Sequence, residues 1–345
     1  VVEAEASLTK ILLELPLSMF VVFVAAYLFV NAIEYIGYRM KWAASFTGAI
    51  LAPLFTSLPE LVVFLVAVFV YAGEAGGEIG IGTLYGQPFM ASSLAYGLVL
   101  LSMLAGYKAK KRDDMVLEVE KTLVIPYTFM AVLFPLTLLP DAAGIRKLQY
   151  ALGPAFLGFY FFYIVLMYRR RRGEASGEEE EHVEEPYFYT WFKRILPPFP
   201  MALIQLIVAV TLLYFGSEML VGSVDKLSKA VGVSPMGAAI VLVPAATAIP
   251  ETISAMLWAY RGKDTLAVSA VIGENILYAT FYPGLGMLVV PWVLDIHAYF
   301  SVAATLSIVL LLLYYIRKGY IVPRVMAIGL ALFISYGVMV FVLQI

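Results

Sequence analysis

Gly48–Glu60 reads GAILAPLFTSLPE, and Ala239–Glu251 reads AIVLVPAATAIPE. Aligned on their final glutamates, Pro53 meets Pro244, Thr56 meets Thr247, and Pro59 meets Pro250. Each copy sets two prolines, a threonine and one carboxylate in the middle of an apolar run. Proline has no N–H, so it leaves the carbonyl four residues earlier without its helical partner. Pro53 and Pro59 free Ala49 and Phe55; Pro244 and Pro250 free Ile240 and Ala246. In lipid such carbonyls need another partner, which can be a cation, a neighbouring hydroxyl or a water.

Composition says that lipid is the solvent. Apolar residues make up 62% of the 345 and charged residues 14%, where a soluble domain carries roughly a quarter charged. Ten runs are long enough to cross a bilayer: 11–38, 44–71, 80–106, 120–139, 148–169, 199–224, 235–259, 265–290, 296–316 and 323–344. Alternation of period two is absent, so the runs read as helices and not as barrel strands. The N-terminus carries no cleavable signal pattern. There is no cysteine, which excludes disulfides and thiol chemistry. Loops after runs 1, 3, 5, 7 and 9 hold eighteen of the 23 Lys and Arg residues; the other side holds five. By the positive-inside rule both termini face outward and the long central loop is cytoplasmic.

That loop, 170–198, opens with Arg169–Arg172 and continues as GEASGEEEEHVEEP, too polar to bury. Five runs precede it (1–169) and five follow (199–345). An odd number per half inserts the halves in opposite orientations, so the repeat is an inverted one. It extends beyond the first motif. Gly82–Leu98, GTLYGQPFMASSLAYGL, aligns with Ser269–Leu285, SAVIGENILYATFYPGL, setting Gly86 on Gly273 and Gln87 on Glu274. Gly82 with Gly86, and Ser269 with Gly273, form small-residue faces that let helix backbones approach closely.

Carboxylates within membrane helices are costly and mark function. Paired in matched, proline-broken segments, they point to a transporter with its site at the repeat interface. Thr56, Ser57 and Glu60 share one helical face, as do Thr247 and Glu251. Hydroxyls, carbonyls and carboxylates are hard oxygen ligands, suited to Ca²⁺ or Na⁺. The motif offers no nitrogen or sulfur ligand, which disfavours zinc and copper. Glu60 and Glu251 balance one divalent ion; Glu274 adds a third negative charge and becomes a candidate coupling group. Gln87 is its neutral counterpart.

These residues resemble the two α-repeats of the Ca²⁺/cation antiporter superfamily, whose motif is close to GxTxxAxGTSLPE. Thr56–Glu60, TSLPE, matches its tail literally; Thr247–Glu251, TAIPE, is looser. The resemblance implies that Glu60 and Glu251 are the central calcium ligands. It also implies that Thr56, Ser57 and Thr247 contribute to ion sites, together with carbonyls such as those of Phe55 and Ala246. The sequence departs from the family in the next helix of each repeat. The family has GSN, with Asn or Asp one turn later; here Gln87 and Glu274 take the serine positions, and Ala91 and Tyr278 the later ones. In both repeats the polar group has moved one turn, about 5.4 Å, toward the motif's glycine.

The expectation is an all-α membrane protein of ten transmembrane helices in two inverted five-helix repeats. It would exchange Ca²⁺ or a related divalent cation for H⁺ or Na⁺ at the cell membrane. No cofactor, catalytic residue or nucleic acid is expected; the partners are the bilayer and inorganic cations, and the chain is read as a monomer. Runs 2, 3, 7 and 8 would form the core, and runs 1 and 6 would slide across it. The alternatives are an exchanger of another cation, a non-transporting relative that keeps the fold, a channel, and a membrane enzyme. Polar groups confined to the middle argue against a pore. The only histidines, His182 and His297, read as lying in or near loops, which argues against catalysis.

Overall fold

The computed structural model describes residues 2–40, 54, 56–171, 184–192 and 195–344. We label fourteen helices in chain order. They are α1 (Val2–Arg39), α2 (Leu58–Leu65), α3 (Gly73–Met90), α4 (Tyr96–Lys108), α5 (Val124–Leu136), α6 (Leu148–Arg171) and α7 (Pro198–Val231). There follow α8 (Pro235–Thr247), α9 (Ile249–Tyr260), α10 (Asp264–Gly273), α11 (Asn275–Ala279), α12 (Phe281–Val289), α13 (Ile296–Ile316) and α14 (Pro323–Phe341). Helix α2 continues into a π-helical turn at Val66–Tyr71, and another, Ala91–Ala95, joins α3 to α4.

Among the described residues seven helices are long and apolar enough to cross a membrane, and the bent pair α8–α9 makes an eighth. The remaining two apolar runs take other forms. Residues 41–53 and 55 of run 2 lie outside the described ones, and run 8 is broken into α10, α11 and α12. One correction to an all-helical reading is small. Strands β1 (Leu117–Glu118) and β2 (Tyr320–Ile321) pair antiparallel between two loops.

Helix boundaries follow local chemistry. Gly232, at φ 80°, ends α7 in the left-handed conformation that glycine adopts without penalty. Ser234 caps α8 by accepting from Gly237 N, with Pro235 in the first turn. Asp295 caps α13 by accepting from His297 N and Ala298 N.

Two helix pairings organise the bundle. Helices α1 and α7 run antiparallel along their length. Glu14 pairs with Lys226 at 3.0 Å, a Cβ on Gly216 would meet Val21 Cγ1 at 2.9 Å, and Gln205 Nε2 donates to Asn31 Oδ1 at 2.8 Å. Gly216 is thus a mid-helix contact. Helices α3 and α8 run parallel and close. A Cβ on Gly82 would lie 2.7 Å from Met236 O, and one on Gly86 would lie 2.8 Å from Ile240 Cα and Pro244 Cγ. The small-residue face expected at Gly82 and Gly86 is therefore used. Among the described residues Gly273 has nothing within 4 Å of such an atom; residues 41–53, which the repeat would set against it, lie outside them. Gly86→Val should lower the melting temperature sharply, because backbone cannot yield as a side chain can. Gly158→Val, in open surroundings, should leave it unchanged. Thermal melts of the purified protein in detergent make the comparison.

The α1–α7 pair has its own buried cluster, which includes Val22, Ala25, Ala209, Leu213 and Leu220 and reaches one face of α8 through Ala238, Ala239 and Val243. A larger apolar core joins the helices from α3 onward with most of the second half. At one end of the bundle the loops are stapled together. The Arg112 guanidinium forks onto Asp264 at 3.0 and 3.1 Å, and its remaining donors reach the carbonyls of Ala259, Val116 and Asp114. All five N–H groups are thereby satisfied. The adjacent β1–β2 pair adds the loop after α13 to this staple. At the other end, Tyr71 donates to Asp225 at 2.5 Å and Ser234 donates to Asp295. His297 sits here in the first turn of α13, directly after a loop, 3% exposed.

Candidate cation site

Both proline motifs break their helices at the same point. Ser57 is the residue before α2, with Pro59 in its first turn and Glu60 its third residue. Ala248 stands between α8 and α9, with Pro250 in the first turn of α9 and Glu251 its third residue. Proline is tolerated there because a first-turn N–H has no helical partner anyway. Across the second break, Pro235–Thr247 and Thr252–Tyr260 meet at 60°. Each glutamate therefore stands in the first turn of a half-helix, where unpaired N–H groups and the helix dipole favour negative charge.

The break in the first motif meets the broken run of the second half. Thr56 Oγ1 donates to Glu274 Oε1. The Tyr282 hydroxyl donates to Ser57 O at 3.0 Å and lies 2.5 Å from Ser57 Oγ. Glu274 is the residue between α10 and α11, and Tyr282 lies in α12, so the fragmentation of this run aims both groups at the motif. Glu60 is 1% exposed. Neither of its carboxylate oxygens has a hydrogen-bond partner among the described residues. A buried, unsatisfied carboxylate is expensive unless a cation or proton completes it. Glu274 lies within electrostatic reach of Glu60, and the Thr247 hydroxyl stands beside it. Thr247 donates to Val243 O at 3.3 Å, leaving its lone pairs as acceptors. Two hard-oxygen acids and two hydroxyls are thus gathered from α2, the turn before it, α8 and the α10–α11 junction.

Gln87, in α3, is buried, and its Oε1 also lacks a partner among the described residues. It lines a small cavity with Glu274, Asn275 and Thr252 rather than the surroundings of Glu60. Ala246 is buried in the last turn of α8. Phe55 and Pro53 lie outside the described residues, as does the Glu251 side chain, although its backbone is placed in α9. Among the described residues no three His, Cys, Asp or Glu side chains form a metal-binding group.

Three side chains at the site were not assigned from sequence: Tyr282, Asn275 and Thr252. Asn275 follows Glu274 directly and could have been flagged as a buried amide. Tyr282 gave no signal among 23 tyrosines.

The sodium/calcium exchanger protein family model matches residues 11–169 and 201–344. Over 135 residues the chain is 27% identical to the putative antiporter CaxA of Alkalimonas amylolytica, covering 37% of this chain and 42% of that protein. The match thus spans about two-fifths of that relative's length. The crystal structure of an H⁺/Ca²⁺ exchanger, CAX, superposes with a TM-score of 0.67 at 17% identity, covering 96% of this chain and 81% of the other. The structure of native YfkE gives a TM-score of 0.67 at 16% identity, covering 98% and 96%. At these identities the likeness is one of fold.

Proposed function

This chain belongs to the sodium/calcium exchanger protein family, and on that premise we propose that it is a secondary-active antiporter of divalent cations. Ca²⁺ is the proposed load, and H⁺ or Na⁺ the counter-ion. Glu60 and Glu251 hold the divalent ion, with the Thr56 and Thr247 hydroxyls and the carbonyls of Phe55 and Ala246 completing its shell. Ser57 orients the first break through Tyr282. Glu274 and Gln87 serve the counter-ion.

The observation that carries the reading is the convergence of Glu60, buried without a hydrogen-bond partner among the described residues, with the Thr56–Glu274 pair at a broken helix. The likeness to CaxA, described as an antiporter, and to CAX, an H⁺/Ca²⁺ exchanger, supports it.

The proposed architecture is ten spans in two inverted halves, 1–169 and 199–345, joined by the linker 170–198. Antiparallel packing of α1 on α7 supports it, since matched spans of an inverted repeat must run in opposite directions. So does the grouping of loops. Those after runs 3, 7 and 9 meet at one end through Arg112–Asp264 and β1–β2, the same set that positive charge places in the cytoplasm. The α1–α7 pair, with its separate core, is the element that slides to alternate access.

The test is uptake of radiolabelled Ca²⁺ into proteoliposomes, driven in parallel by outward Na⁺ and outward H⁺ gradients. Uptake with one gradient identifies the counter-ion. Absence of uptake with both, in folded protein, overturns the assignment of Ca²⁺.

A further inference from the structure

Tyr71 ends run 2 and Asp225 follows run 6, so the charge pattern sets both at the outer end of the bundle. There one hydrogen bond joins the α1–α7 pair to the core. Tyr71, the last residue of the π-helical turn after α2, donates to Asp225 Oδ2 at 2.5 Å. Lys229, one turn further along α7, donates to the same oxygen at 2.7 Å. Asp225 is 3% exposed. The Tyr71 ring rests over Gly222, where a Cβ would lie 3.7 Å from its Cε2. The next residue carries strain. Ala72 has φ 56° and ψ −169°, a region that suits glycine and is costly for any side chain. Such strain persists only where the surroundings over-determine it. Here they are the hold of Tyr71 on α7 and the bond from Ala72 N to Ala67 O at 3.0 Å.

The mirrored end differs. The offset that sets Glu60 on Glu251 also sets Glu34 on Asp225. Yet Glu34, in α1, is exposed. Helix α7 lies along α2 and its π-helical turn, whereas among the described residues α1 barely touches α9, the counterpart of α2. We propose that Tyr71, Asp225 and the strained turn at Ala72 form an outer latch. The hydrogen bond holds the α1–α7 pair against the core, and the turn relaxes when the bond breaks. A hydrogen bond to a carboxylate and a residue in such a region have similar energies, and here they act in opposite directions. Latched and open forms therefore lie close enough for a bound ion to shift the balance. The inference rests on the reading of α1–α7 as the sliding pair. It makes Tyr71 and Asp225 positioning residues that act through α7 and not as ion ligands.

The chain has no cysteine, so a single introduced thiol reports access. Ser217→Cys sets one in α7 about two turns before Asp225, where Ser217 is fully buried with Leu220, Val221 and Val224 between. Ser301→Cys, at a buried position of α13, reports loosening of the core. The experiment measures the rate of maleimide labelling of each thiol in the purified full-length chain in detergent. Tyr71→Phe, which keeps the ring and removes the hydroxyl, should speed labelling of Ser217→Cys by about 10–100-fold. Ala72→Gly, which removes strain from the latched form, should slow it by about 5-fold or more. Neither should change the rate at Ser301→Cys. General damage to the fold speeds labelling and does not slow it, so the opposite signs identify a latch. Equal rates in Tyr71→Phe and its parent overturn the proposal, as does faster labelling at both thiols. An Ala72→Gly rate that is unchanged or raised overturns the assignment of the turn. Labelling needs no gradient and no transported ion, so its outcome and that of the Ca²⁺ uptake assay stand apart.

Discussion

Glu60→Gln is expected to cut gradient-driven Ca²⁺ uptake by about 10²–10³-fold, and Glu251→Gln to do the same. Removing one partner from a desolvated charge pair costs about 3–5 kcal/mol, and each 1.4 kcal/mol is about a factor of ten in binding. The amide keeps the shape of the side chain, so the loss isolates the charge. Nor does the new amide inherit a satisfied position, since both oxygens of the Glu60 carboxylate lack a hydrogen-bond partner among the described residues. Initial rates of uptake in proteoliposomes across a range of Ca²⁺ concentrations make the measurement. Wild-type exchange in either variant would move the site away from the broken helices. Glu60→Asp should restore part of the affinity, because the charge returns with a shorter reach.

Arg112→Ala should be the most damaging substitution outside the site, destabilising the fold by about 3–5 kcal/mol. Asp264, 7% exposed, would be left beneath the surface with Glu118 N, at 3.0 Å, as its remaining donor of the present set. Three backbone carbonyls would each lose the guanidinium as a donor at the same time, with Ala259 O keeping Gly262 N at 3.3 Å. Arg112→Met combined with Asp264→Leu should recover much of the stability, because the buried charge left behind by the single change is then gone. Melting temperatures of Arg112→Met, Asp264→Leu and the double form a mutant cycle. Additive losses would show that the pair is not coupled.

Much of this molecule is written in the chain at the level of pattern. The apolar runs, the polar linker and the repeated PxxTxxPE spacing give a helical membrane protein with a duplicated motif. Glu60 could be singled out because a carboxylate between Leu58 and Leu65 has no place in lipid without a task. Gly82 and Gly86 could be read as a close-packing face, and α8 lies against it. The partner of Thr56 was not legible. Its hydrogen bond to Glu274 joins residues 218 apart, and no local spacing encodes a contact between two broken helices. Tyr282 escaped for the same reason, since its role depends on where the irregular run α10–α12 sets it. The cavity beside Gln87 is a property of three elements meeting, and Asn275 acquires meaning only there. The staple at Arg112 looked like one more basic loop residue contributing to sidedness. Only the fold reveals that its partner is an acid 152 residues later.

That interval bears on how the chain is made. Arg112 leaves the ribosome long before Asp264; at about 5–20 residues per second the wait is about 8–30 s. During it the first half stands in the bilayer with the guanidinium and its surrounding loop uncommitted, and α1 still lacks α7. Completion of the second half would therefore act as a checkpoint in biogenesis. A chain arrested before α10 would present an unmatched arginine and an open helix face to the quality-control machinery. The two halves supplied as separate polypeptides would still be able to find each other through that same ion pair.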